Sequence, residues 1–252
     1  MISSLPQLSD ALQRFHSFVE SESGRKISLQ QADFVGLRGM NIAFAHHPTD
    51  IVIEFVLPFN GTIDQLEESL AHEAGHGLLT YGRGYTHLEI KQEIDDEAVF
   101  SLSVIATMLD DVPVNKLIQE HGFRLHNKSY ARQVNREAKF AKRKDMSVYR
   151  NAGPNELAEK RFGISRYVGA WACLKYLTLS STQRDALRKF RKNFKRAYPN
   201  LSREGLIICE LFKAHDVFTP TGHENILKEV VSLWDLTDYV NFKRGRDESR
   251  AT

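Results

Sequence analysis

Apolar residues near the start of the chain recur at helical spacing. Leu8, Leu12, Phe15 and Val19 lie three to four positions apart and predict an opening helix over 5–22. The pattern then changes to two apolar, β-branched-rich runs, 41–45 and 51–57, flanking the turn-forming His47-Pro48-Thr49-Asp50, which predicts a hairpin or two paired strands. After Asn60-Gly61 a helix is expected from Thr62, with Gln65 as its capping-box partner. Asp64, Glu67 and Glu68 sit in its early turns, where the helix dipole favours acids. Ile63, Leu66, Leu70, Ala74 and Leu78 form its apolar stripe, and the Gly-rich stretch 81–85 ends it. A second helix is expected over 88–109, with Ile90, Ile94, Ala98, Ile105 and Leu109 turned inward. Asp110-Asp111-Val112-Pro113 should break or bend it before another turn or two over 114–121. From 126 onward the period stays helical, over 130–144, 158–177, 181–197, 203–214 and 224–236, with Trp171 and Trp234 as core residues. The polar tail from Lys243 is expected to be disordered. The fold class this predicts is α+β and predominantly helical: a small N-terminal hairpin or sheet, a helix behind it, then a helical C-terminal lobe.

Charge adds a boundary. Residues 1–125 carry 8 Lys+Arg against 18 Asp+Glu, and the remaining residues carry 26 against 14, a balance of −10 followed by +12. This asymmetry places an expected division near residue 125, between a core over 1–125 and a basic lobe over 126–252, which could pack as one domain. No stretch of about 18 apolar residues occurs, so no membrane span is expected. The N-terminus lacks the basic start and apolar core of a secretory signal. Cys173 and Cys209, far apart in apolar surroundings, read as two buried thiols of a cytoplasmic protein and not as a disulfide framework.

The candidate chemistry lies in His72-Glu73-Ala74-Gly75-His76. Two histidines four residues apart share a helical face, about 40° apart around the axis, so their ring nitrogens are able to share one zinc ion. Glu73 is near enough to take a proton from a water activated there. The apolar stripe of the helix points elsewhere, which assigns the histidines to a cleft and not to the core. Here the sequence resembles the zincin metallopeptidases, whose hallmark is this pair of histidines and glutamate on a helix. Leu70, Ala74, Gly75, Gly77 and Leu78 supply the uncharged surroundings of the longer form of that hallmark. The strand-then-helix order before it is also similar, and in those enzymes an edge strand holds an extended substrate. The resemblance covers residues 40–120.

Such a site needs a third protein ligand, leaving one position for water. A histidine six residues after His76 is ruled out, because position 82 is glycine. If the two helices formed an antiparallel hairpin, Glu93 and Glu97 would lie opposite the histidines, at the four-residue spacing of thermolysin-like gluzincins. By that resemblance Glu93 would bind zinc and Glu97 would stand behind a ligand histidine. The rival is Asp111, because MLDDVPVNKLI resembles the acidic segment of several predicted metallopeptidases. A straight helix from residue 89 would carry Asp111 about 33 Å from its start, past His72, unless it broke. Asp110 and His87 are further candidates. The plain alternatives are a solvated face for Glu93 and Glu97 and a helix N-cap for Asp110 and Asp111.

The resemblance implies amide hydrolysis of a peptide or protein substrate, with Zn2+ as cofactor, His72, His76 and a carboxylate as ligands, and Glu73 as general base and then acid. Tyr85, His121, His215 and His223 are candidates to stabilise the oxyanion. In the basic half, one cluster comprises Arg132, Arg136, Lys139, Lys142, Arg143 and Lys144. A second comprises Arg184, Arg188, Lys189, Arg191, Lys192, Lys195 and Arg196. They are read either as solvated helix faces or as a surface for nucleic acid or an acidic partner. The alternative function is therefore a helical nucleic-acid- or partner-binding protein in which the zinc site is structural or degenerate.

Overall fold

The structure is a computed structural model that describes residues 1–35, 41–91, 94–124, 127–149 and 155–245. The fold is α+β and predominantly helical, with one three-stranded and one two-stranded sheet among the described residues. It divides into two compact units that are not consecutive in sequence. One takes Met1–Tyr85 and the stretch from Val114, with the chain end from Arg244; the other takes Thr86–Pro113 and Asn127–Lys243.

In the first unit, helix α1 (Asp10–Ser23) is capped by the Ser9 hydroxyl and buries Leu12, Phe15 and Val19, the positions its periodicity marks. Ser9 is also held from α2, since its N–H and hydroxyl both donate to the buried Glu67 carboxylate, at 2.6 and 2.7 Å. Strands β1 (Ile27–Gln31), β2 (Ile42–Ala45) and β3 (Ile51–Phe55) form one sheet in the order β1-β3-β2. The expected β2–β3 pair is antiparallel, with Phe44 opposite Ile53, while β1 adds a parallel partner that the sequence reading omits. Its ISLQQ pattern offers only Ile27 and Leu29 as alternating apolar positions, too short a signal to separate from a loop. Helix α2 (Ile63–Gly77) starts at the Thr62–Gln65 capping box and buries Leu66, Leu70 and Ala74, whereas Ile63 is half exposed. A π-helical turn, Leu78–Gly82, follows it.

In the second unit, residues 88–90 are not helical as expected but belong to strand β4 (Thr86–Ile90), paired with β5 (Val240–Arg244). The pairing partner is distant in sequence (Asn241 Nδ2 donates to Glu89, 152 positions away, at 3.1 Å), so no local pattern reports it. Helix α3 (Asp96–Glu120) begins later than expected, where the Asp95 carboxylate accepts the Ala98 N–H at 2.8 Å. It then continues through Pro113 as one helix, where a break or bend is expected, so there is no break. A helix-interior proline costs about 3 kcal/mol. Leu109, Val112, Val114, Leu117 and Ile118 surround it fully buried, and burying each is worth about 1.5–3 kcal/mol. Burial therefore outweighs the proline. Helices α4 (Asn127–Lys142), α5 (Glu156–Tyr176), α6 (Ser181–Ala197), α7 (Pro199–Ala214) and α8 (Pro220–Leu233) complete this unit. Trp234 is buried in its core and Trp171 packs partly buried against it. Among the described residues no helix is long and apolar enough to cross a membrane.

Candidate metal centre

The motif helix is held against the sheet, and the turn after it against the loop that follows β2. Gly77 faces β3 so closely that a Cβ there would lie 2.5 Å from Ile51 Cγ2. Glu73 accepts a hydrogen bond from the Phe44 N–H of edge strand β2 at 2.9 Å. Tyr81, in the π-helical turn, accepts the His47 N–H at 3.1 Å, and the Arg25 guanidinium lies 3.6 Å from the centre of its ring. Arg25 in turn donates to the His47 carbonyl at 2.7 Å. Strand, helix and turn therefore fix where the Glu73 carboxylate sits.

On the same helix the imidazoles of His72 and His76 converge, their Nε2 atoms 3.1 Å apart. Two nitrogens bound to one tetrahedral zinc at about 2.0–2.1 Å are about 3.3 Å apart, so the pair is spaced for a shared ion. Helix α3 crosses α2 at Gly75, where a Cβ would come within 2.9 Å of Val114 Cγ1. One turn before Val114 on α3 stands Asp111. Ligand atoms of His72, His76 and Asp111 all lie within 4.8 Å of one another, and all three side chains are half-buried. Two imidazole nitrogens and a carboxylate oxygen form a donor set suited to zinc, and three protein ligands leave it a position for water.

The other predicted residues fall as follows. Glu93 lies outside the described residues. Glu97 is 14 residues before Asp111 on α3, about 21 Å along the axis, and accepts from Asn155 and, at 3.4 Å, from Arg161. The gluzincin-like role for Glu97 is thus not met, because the strand β4 displaces the expected helical hairpin. Asp110 pairs with the fully buried His223 at 2.6 Å, and neither it nor Asp111 is an N-cap. His87 belongs to β4, and burial lowers its pKa. Tyr85 is buried in the core of the first unit, and His121 packs on Phe15 and Phe18 with ring centres 5.0 and 4.4 Å away. His215 pairs with Glu229 at 2.9 Å. Two features escaped the sequence reading. The Phe44 N–H hold on Glu73 is a backbone contact without a residue-type signature. Asp111 also lies nearer the helix start than a helix from residue 89 implies, because α3 starts at 96, leaving about 22 Å to Asp111 instead of about 33 Å.

Comparison with family models, with curated proteins and with solved structures finds no match for this chain.

Proposed function

We propose that the protein is a zinc-dependent peptidase whose metal is held by His72, His76 and Asp111. The observation that carries this reading is the convergence of those three side chains beside a glutamate fixed by a backbone N–H. When bound, zinc would supply Lewis acidity, lowering the pKa of a water and polarising a carbonyl. The protein's own residues do the remaining work. Glu73 takes the proton from the attacking water and delivers it to the leaving amine. The Phe44 N–H holds the carboxylate in place, so little ordering is needed at the moment of transfer. Strand β2, at the edge of its sheet, lies alongside Glu73 and favours an extended peptide as substrate over a compact amide. A structural zinc site would more often be closed by four protein ligands.

Metal analysis of the purified protein beside Asp111→Ala, Glu93→Ala and Glu73→Gln tests the proposal. One equivalent of zinc is expected in the wild type, in Glu93→Ala and in Glu73→Gln, and far less in Asp111→Ala. Peptide hydrolysis should fall by about 10²-fold or more in Glu73→Gln while its zinc remains. Full zinc in Asp111→Ala, or full activity in Glu73→Gln, would reject the assignment.

A further inference from the structure

Helices α4 and α6 pack side by side in the second unit, and their exposed faces are almost uniformly basic. Every cation of the two clusters described above is exposed except Arg191, which is half-buried over the Tyr167 ring at 4.6 Å. Against them the two helices carry two acids. Of these Glu137 is buried and held by Arg166 at 3.0–3.2 Å, which leaves Asp185 alone exposed. Arg132, Arg136, Lys139 and Arg143 recur at i, i+4, i+7 and i+11, and Lys189, Lys192 and Arg196 at i, i+3 and i+7. Each set is one stripe along its helix, with Arg143 just past the end of α4.

A cavity of about 300 Å³ at the C-terminal ends of α4 and α6 is lined by Lys142, Lys144, Asn193 and Arg196, the last from the α6 stripe, and by the alanines 141 and 197. No acid lines it. Cations at helix C-termini commonly offset the dipole, but two helix ends present only about one negative charge together. Three cations exceed that by about two charges. Lys144 carries a second indication. It is the residue with φ 58° after α4, where the N–H of Asp145 reaches Phe140 O and that of Lys144 reaches Ala141 O. This is a Schellman turn, and its left-handed position usually holds glycine. A lysine there is costly for the backbone and places an ammonium at the cavity.

We infer that this face binds the phosphodiester backbone of nucleic acid, with one phosphate seated in the cavity. Phe190 and Phe194, the aromatics interleaved with the α6 cations, are buried, so they offer no ring for base stacking. Recognition is of phosphate and independent of base sequence. The inference does not rest on the zinc site, and its test is run in EDTA.

The probe is a fluorescein-labelled DNA duplex of about 20 base pairs, followed by anisotropy between about 50 and 200 mM salt. Binding should weaken about 60-fold or more over that range, a slope near −3 or steeper. Lys144→Gly relieves the strained turn, so its Tm should match or exceed the wild type, yet its affinity should drop several-fold and its slope flatten by about 1. Arg196→Ala should do the same to binding, and Lys213→Ala, on α7, should not. The inference is overturned if the duplex is not retained at low salt, or if Lys144→Gly binds as the wild type does. It is equally overturned if a polyglutamate peptide binds as well as the duplex, or if inorganic phosphate saturates the cavity while the duplex fails to bind.

Discussion

Each residue of the candidate centre does a separate job, and neighbours in sequence are not neighbours in role. Asp110 and Asp111 are adjacent, yet one pairs with buried His223 and the other joins the histidines. The 100° step between successive helical residues sends them to different surroundings. Glu67 and Glu73 show the same on α2: the first anchors the start of α1, the second accepts from β2. His16 supplies a prediction at this scale. Burial pushes its pKa down from 6.5 to about 4, against the weaker pull of Glu20 and Glu67. Its Nε2 is buried with no hydrogen-bond partner among the described residues. The unfolded chain therefore takes up this proton first as pH falls. Stability contributed by the neutral ring is complete above pH 6.5 and is lost progressively toward pH 4, on the order of 3 kcal/mol. Urea unfolding of the wild type and His16→Leu at pH 7 and 4.5 should show a smaller acid loss in the variant. Parallel losses would show that His16 is not the group responsible.

Among elements, the crossing of α2 and α3 decides whether Asp111 reaches the two histidines. Gly75 and Gly77 satisfy the uncharged surroundings of the zincin hallmark, but in this fold each has a packing reason: one admits α3, the other β3. Gly75→Ala should improve helix propensity by up to about 1 kcal/mol and still destabilise, because overpacking costs about 1–3 kcal/mol. By pushing α3 outward it should also weaken zinc binding. Val114→Ala in the same chain makes room for the new methyl group and should restore much of both. A double-mutant cycle read by zinc titration and by unfolding tests this; additive effects would mean the two positions are uncoupled. The continuity of α3 through Pro113 matters here, since a break at 110–113 would separate Asp111 from the turn that packs on Gly75.

For the whole molecule, a metal joining α2 to α3 links chain segments about 35–40 residues apart, and an ion that binds only the folded form stabilises it. At a zinc concentration about 100 times Kd the gain is about 2.7 kcal/mol, a rise in Tm of roughly 5–10 °C for a chain of this size. Thermal unfolding in zinc and in EDTA should show that shift in the wild type and lose it in Asp111→Ala. An equal shift in both would place the ion elsewhere. The charge step near residue 125 falls close to the start of α4, but the compact units follow the path of α3 instead, leaving the first unit at Thr86 and rejoining it at Val114.

Local chemistry was enough to establish the helices with clear caps and stripes, the β2–β3 pair, and the placement of His72 and His76 on one helical face, because each depends on residues within a few positions of one another. It also marked Glu73 as the acid beside them. Tertiary structure alone decided that residues 86–90 are a strand, that α3 survives Pro113, and that Asp111 meets the histidines while Glu97 does not. Those outcomes depend on burial and on pairing between segments distant along the chain, where free energy gained across the fold overrides the preference of any short stretch.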